Sequence, residues 1–462
     1  MKKILSIALV ALLAASAFAG FSGEANVGLG YNWETGAFGF SNGTGFDVNL
    51  DLASADAEAI AEGDVYAGIK ASAALKVANQ EGTKGFQIWT KDIKEGFGLG
   101  LFLKVSEAYV AGENWKVSIL GTQGAPDFAK SAIDGGYQLK VEDAFGNKYD
   151  YKYVPATYAV SAIKTPGVTV EVMDWKASFG FNGNDGSKDA SKKFFNYNAF
   201  VQTPVFDFDV VNLQVATIAS RDMTNEETAK RFDSAIGASA KLGFDADVVT
   251  GSVAADYGVK LIKGADDKYV ATHGMDVAAN LAISPVTVDL YYQNANLSNT
   301  EKKTGDALLA LNLLSAQAAV DLTSFDVPLK LTVFAKNVLD KIDGQTFGAK
   351  VETTVDAFTL KANGSYQITD KQKLSVGASA EYKHDLFKVG AGLTWSMLTK
   401  KGLEDTHRLV ANASVSSDAI IPGATLSLAY GAGDEDMNLL KQAGSGYAQN
   451  FGKIEAKCAI EF

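Results

Sequence analysis

With 462 residues and a formal charge of −12, 42 lysines and arginines against 54 acidic residues, the chain is a poor partner for nucleic acid or an anionic lipid surface. Its one cysteine, Cys458, excludes an internal disulfide framework, and with only three histidines no zinc-type ligand pattern forms. The 45 glycines beside 7 prolines, in a sequence 47% apolar, suit many strands joined by turns better than helical repeats.

Met1, Lys2 and Lys3 precede an apolar run from Ile4 to Ala15, and Ala17-Phe18-Ala19 follow it. That order predicts a secretory leader cleaved after Ala19, and the run is shorter than the roughly 20 residues a membrane helix needs. The reading is thus a leader at 1–19 and one domain at 20–462. Losing Lys2 and Lys3 takes the formal charge from −12 to −14. No cysteine sits at the cleavage site to carry a lipid anchor, and no later apolar run is long enough for a membrane helix.

The first mature segment places Phe21, Ala25, Val27, Leu29, Tyr31 and Trp33 on one parity and Ser22, Glu24, Asn26, Asn32 and Glu34 on the other. Period two over this length predicts a strand with two unlike faces. Gly39-Phe40-Ser41-Asn42-Gly43 fits the G-x-S-x-G pattern, but it falls in a predicted hairpin loop without the helix a nucleophile elbow requires. Alternation resumes at Phe46 to Leu52, Val65 to Val77 and Phe97 to Val105. Between them, alanine-rich Ala53 to Ala61 is expected to form a short helix. Residues 78 to 167 follow neither period well. Within them Tyr149, Tyr151 and Tyr153 share a parity, as an interfacial aromatic edge or a sugar-stacking track would require.

Farther on, Ile236 to Phe244, Phe347 to Val355, Leu374 to Tyr382 and Phe387 to Trp395 repeat the alternation. Short connections are expected near Thr203-Pro204, Asp245 to Asp247, Ser284-Pro285, Asp356-Ala357, Lys383 to Leu386 and Asp418 to Gly423. Longer polar ones lie between them: Asn182 to Lys193, Ser220 to Asp233, Lys260 to His273, Asn294 to Asp306, Leu398 to His407 and Gly431 to Ala448. This rhythm puts every long connection on one side and gives about fifteen strands after Phe195. An odd number before Phe195, about five or seven, makes the total even at about 20 to 22.

The closing segment has Ile454, Ala456, Cys458, Ile460 and Phe462 on one parity, with Lys453, Glu455, Lys457 and Glu461 on the other. This resembles the C-terminal assembly signal of bacterial outer-membrane β-barrel proteins, in which alternating apolar positions lead to a terminal phenylalanine read by the insertion machinery. The resemblance is of general porin type. No diagnostic motif narrows it to a subgroup such as the spirochaetal major outer-sheath proteins. It implies an all-β fold: a transmembrane antiparallel barrel with short periplasmic turns and long external loops, in the outer membrane of a diderm bacterium.

Barrels concentrate aromatics at the membrane interfaces, and Phe387 and Trp395, like Phe358 and Tyr366, end apolar rows spanning about 20 Å of membrane height. Tyr31, Trp33 and Tyr382 are assigned to the same belts. With about 20 strands the polar lumen is too wide for side chains alone to fill, so water or an inserted segment occupies it. The resemblance assigns that role to Gly121 to Pro155, making Asp127, Lys130, Asp134, Glu142 and Asp143 candidates for a constriction where focused fields select ions.

These readings favour a channel for passive diffusion of small hydrophilic solutes or ions, with a modest cation preference from the acidic balance. Its partners are the lipid bilayer, the insertion machinery and the solutes, and self-association stays open. The alternative is a surface adhesin or structural outer-membrane protein acting through its loops. No enzyme, cofactor or metal is expected: His273, His384 and His407 are scattered, and Asp266-Asp267 and Asp434-Glu435-Asp436 read as solvated charge.

Overall fold

The computed structural model describes residues 19–33, 37–40, 44–53, 65–79, 97–119, 128–129, 133, 140–142, 148–150, 167–184, 194–221, 231–263, 269–298, 308–339, 345–368, 371–400, 406–431, 440–443, 446–448 and 452–461. They form a closed antiparallel barrel of 22 strands. β1 is Ala19–Asn32, β2 has two stretches, Ala37–Phe40 and Gly45–Ala53, β3 is Tyr66–Asn79, β4 Phe97–Gly112 and β5 Trp115–Ile119. Next come β6 Gly167–Val172, β7 Trp175–Asn184, β8 in two stretches, Phe194–Gln202 and Phe206–Phe208, β9 Val211–Arg221 and β10 Arg231–Ala246. β11 is Val249–Lys263, β12 Tyr269–Ile283, β13 Val286–Ser298, β14 Leu308–Asp321, β15 Leu329–Lys336 and β16 Gln345–Val355. The last are β17 Phe358–Ile368, β18 Lys371–Lys383, β19 Lys388–Lys400, β20 Thr406–Ile421, β21 Ala424–Tyr430 and β22 Lys453–Glu461. Each strand pairs with its neighbours in sequence, and β22 closes on β1 with Cys458 opposite Val27 and Ile460 opposite Ala25.

Closure matters because lipid offers no hydrogen-bond partners, so an open edge within a bilayer leaves donors and acceptors unmet. The strand count and the placement of both ends on one side agree with the sequence reading. Several connections depart from the rule of short turns on one end and long loops on the other, two of them clearly. Residues 54–65 join β2 to β3 at the short-turn end, and 369–370 join β17 to β18 at the long-loop end. Of the expected helix at Ala53 to Ala61, Ala53 ends β2 and the rest lies outside the described residues. Strands also run farther than expected, leaving 264–268 between β11 and β12 and 299–307 between β13 and β14.

The turn expected near Thr203-Pro204 is displaced to Asp209-Val210. Pro204 lacks the N–H a ladder needs, yet the strand survives it as a local irregularity. Thr203 N–H donates to the Val215 carbonyl at 2.9 Å and Thr203 Oγ1 accepts from Val215 N–H at 3.0 Å, which holds β8 on β9 until Phe206 resumes pairing.

Aspartate begins several of the tight turns with positive φ: Asp209 at 67°, Asp247 at 56° and Asp356 at 51°. Aspartate tolerates the left-handed region far better than a β-branched residue does. Asp356→Val is therefore expected to destabilise the barrel by about 1–2 kcal/mol, whereas Asp356→Gly costs nothing or stabilises. Urea unfolding in lipid vesicles checks this, and equal midpoints for the two variants would remove the turn argument.

Candidate functional site

Register fixes which side chains face the lumen. Towards the short-turn end, Lys116 of β5, Glu171 of β6 and Lys176 of β7 stand directly opposite one another. So do Asp321, Lys330, Glu352 and Lys361 across β14 to β17. The ion pairs along this belt are Lys176–Glu171 at 3.1 Å, Lys330–Asp321 at 3.7 Å, Lys361–Glu352 at 2.9 Å and Lys388–Glu381 at 2.9 Å. Glu107 adds contacts to Lys116 at 2.6 Å, Lys70 at 3.5 Å and the Ser118 hydroxyl at 2.6 Å. Partly exposed pairs like these each contribute about 0–1 kcal/mol, so their main effect is electrostatic. Opposite charges alternate on these strands, whereas Asp47, Glu24 and Glu461 stand opposite one another on β2, β1 and β22, as Asp256 and Asp276 do on β11 and β12.

At mid-height the inner face changes character. Phe200 of β8, Ala216 and Ile218 of β9 and Ala235 of β10 point inward and are buried, with Phe128 packed against them. Ala129 and Ile133 are buried as well. Asp256 of β11 fixes this segment: its Oδ1 accepts from Phe128 N–H at 3.2 Å and its Oδ2 from Ala129 N–H at 2.8 Å. The segment thus lies inside the barrel, and it accounts for an apolar inner patch that water would otherwise wet. Across the ladder Asp256 faces Asp276, a like-charge pairing in which both side chains are buried. Gln293 Nε2 donates to Asp276 Oδ1 at 2.7 Å and supports one side of the pair.

On the short-turn side of this latch lies a cavity of about 370 Å³, bordered by Phe128, Gln214, Lys241, Ser252, Asn280 and Asp289. Asn280 Nδ2 donates to Asp289 Oδ1 at 2.6 Å and Gln317 Nε2 donates to Asp289 Oδ2 at 3.3 Å, which orients the carboxylate.

The outer face inverts the pattern of a soluble protein. Ile236 is 66% exposed, Leu393 50% and Val376 50%, while inward Asn198 and Gln293 are 0% exposed. Apolar side chains outside, polar ones inside and no open edge fit lipid outside and water within. The chain folds as an outer-membrane-type β-barrel.

No family model and no curated protein matches the chain. Among solved structures, the outer membrane protein OpdK from Pseudomonas aeruginosa aligns over 96% of this chain and 98% of its own, at 10% identity and a TM-score of 0.39. The copper transporter OprC aligns over 96% and 80%, at 12% identity and 0.38. A mutant of the Rh. blastica porin aligns over 62% and 98%, at 12% identity and 0.29.

The site residues expected from sequence are only partly visible in this barrel. Asp127, Lys130, Asp134 and Asp143 lie outside the described residues. Glu142 ends one strand of a small hairpin, Lys140–Glu142 with Lys148–Asp150, that is not part of the barrel sheet. Asp256, the wall partner of the inserted segment, escaped the sequence reading. Its available signal was an inward parity carrying Asp256, Asp276 and Asp289 on successive strands otherwise lined by small residues.

Of the closing residues, Ile454, Ala456, Cys458 and Ile460 lie on β22 and Phe462 lies outside the described residues. Tyr31 and Trp33 meet edge to face at 5.3 Å near the long-loop end, where Tyr430 joins them at 6.1 Å from Trp33. Phe358, Tyr382 and Phe387 cluster at the opposite end, with centroids 4.7 Å and 6.1 Å from Tyr382. Tyr366 and Trp395 sit toward the long-loop ends of β17 and β19.

Proposed function

We propose that the protein is an outer-membrane channel through which small hydrophilic solutes and ions diffuse passively, narrowed at mid-height by the segment carrying Phe128 to Ile133. The observation that supports this most is a polar barrel interior with a piece of the chain hydrogen-bonded to the wall at Asp256. A plain wall of 22 strands leaves a wide lumen, and an inserted segment reduces it to a size that discriminates between solutes. Export through the leader at 1–19 and delivery to the insertion machinery belong to the same reading.

Purified protein in planar bilayers is expected to give discrete conductance steps, and liposomes containing it are expected to swell faster in small sugars than in large ones. Stable insertion without steps would overturn the channel reading. Deleting Phe462 is expected to lower the amount of heat-modifiable barrel in the membrane, because the closing strand then lacks its terminal aromatic. Unchanged membrane levels on semi-native gels would dissociate Phe462 from assembly.

A further inference from the structure

We infer that the cavity beneath Phe128 is a binding site for a small zwitterion of the size of a free α-amino acid, sited where solutes pass the narrowing. This deepens the channel reading and rests on its water-filled lumen. The cavity brings one cation and one carboxylate to opposite flanks: Lys241 on β10 and Asp289 on β13. Lys241 has no ion-pair partner among the described residues. Asp289, though 6% exposed, faces no lysine in register: Asn280 and Gln317 stand beside it.

Register sets the spacing of the two charges. Lys241 pairs with Ala254, Ala254 with Ala278 and Ala278 with Tyr291, and Asp289 lies two residues from Tyr291 along β13. Three strand spacings and two residues of rise separate the backbones by about 16 Å. Both side chains nevertheless border the same cavity, so a small molecule lying in it meets the Lys241 ammonium on one flank and the Asp289 carboxylate on the other.

Between the charges the lining suits the rest of such a solute. The Ser252 hydroxyl and the side-chain amides of Gln214 and Asn280 can meet its polar atoms, while Phe128, Ala254 and Ala278 face its aliphatic part. Gln214, whose Nε2 donates to the Thr203 carbonyl at 3.3 Å, stands opposite Lys241 in register and so lines the flank where the ligand's carboxylate sits. A purely anionic solute forfeits Asp289 and meets its charge, and a purely cationic one does the same at Lys241. Discrimination then needs both ends of the ligand.

The test uses the detergent-solubilised full chain in equilibrium dialysis with radiolabelled alanine, with lactate lacking the ammonium and ethylamine lacking the carboxylate as competitors. Saturable alanine binding is expected, with each competitor weaker by about tenfold or more, since a charge-assisted contact is lost. Lys241→Met and Asp289→Asn should each weaken alanine binding by a similar factor, while Lys361→Met, in the belt near the short-turn end, should leave it unchanged. Heat-modifiable gel mobility confirms that each variant is folded.

Alanine binding that is absent, equalled by lactate, or indifferent to both substitutions in folded protein would overturn the site. Bilayer conductance separates this from the channel reading. Conducting protein that fails to bind alanine rejects the site alone, and binding by protein that never conducts upholds the site and rejects the channel.

Discussion

Asp256→Ala is expected to raise single-channel conductance several-fold and to make the open current noisy. Asp256 accepts from two successive backbone N–H groups, those of Phe128 and Ala129. Hydrogen bonds to a charged acceptor contribute about 1.5–3 kcal/mol each, and removing the acceptor leaves both donors unmet in a buried setting. The packing of Phe128 on Phe200, Ala216, Ile218 and Ala235 is left in place. Without the two bonds, the entropy gained on release favours loosening of the segment around Phe128 and Ala129.

The barrel itself should not suffer. Asp256 stands opposite Asp276, and two buried carboxylates facing each other are costly to keep ionised together, so the substitution removes one of the two from the wall. Semi-native gels should therefore show unchanged or higher thermal resistance alongside the larger conductance. Adding Phe128→Ala should increase conductance no further once the latch is lost. Unaltered conductance in folded Asp256→Ala would mean that the Phe128 segment does not obstruct passage.

Much of the barrel is legible in the sequence because a membrane wall forces period two on every strand. Alternation such as Ile236, Ala238, Ala240 and Leu242 against Ala235, Gly237 and Ser239 survives because lipid and water press on opposite faces. The tight turns are legible where aspartate carries the strained position, as at Asp247 and Asp356. Pro204 misleads for a local reason: proline ordinarily ends a strand, but here Thr203 keeps Val215 paired through its N–H and its hydroxyl, and the turn waits until Asp209.

The mid-height site is harder to read. Phe200 and Ile218 sit on an inner parity expected to be polar, and in a sequence alone they resemble noise in the alternation. Only the docking of Phe128 gives them a purpose. Likewise the partnership of Asp256 with residues more than a hundred positions earlier obeys no local period. Where inward apolar residues cluster on consecutive strands, as Phe200, Ile218 and Ala235 do, an inserted segment is the physical explanation to seek.

Leu393→Arg is expected to destabilise the barrel by about 2–4 kcal/mol, while Thr394→Arg costs well under half as much. Both residues lie near the middle of β19, which runs from Lys388 to Lys400. Leu393 pairs with Ala378 and Ala411, whose small side chains leave it 50% exposed on the outer face. A guanidinium there has neither a charge partner nor water near the bilayer midplane. Thr394 faces the lumen between Gly377 and Val410, where the long side chain of an arginine reaches water. The contrast tests facing directly, since one position of slip along a strand exchanges lipid for water. Urea unfolding in vesicles, followed by the fluorescence of neighbouring Trp395, reads both costs under one condition. Equal costs at the two sites would mean that β19 is not a lipid-facing wall strand, and the inward placement of Lys241, Asp256 and Asp289 by the same parity would lose its footing.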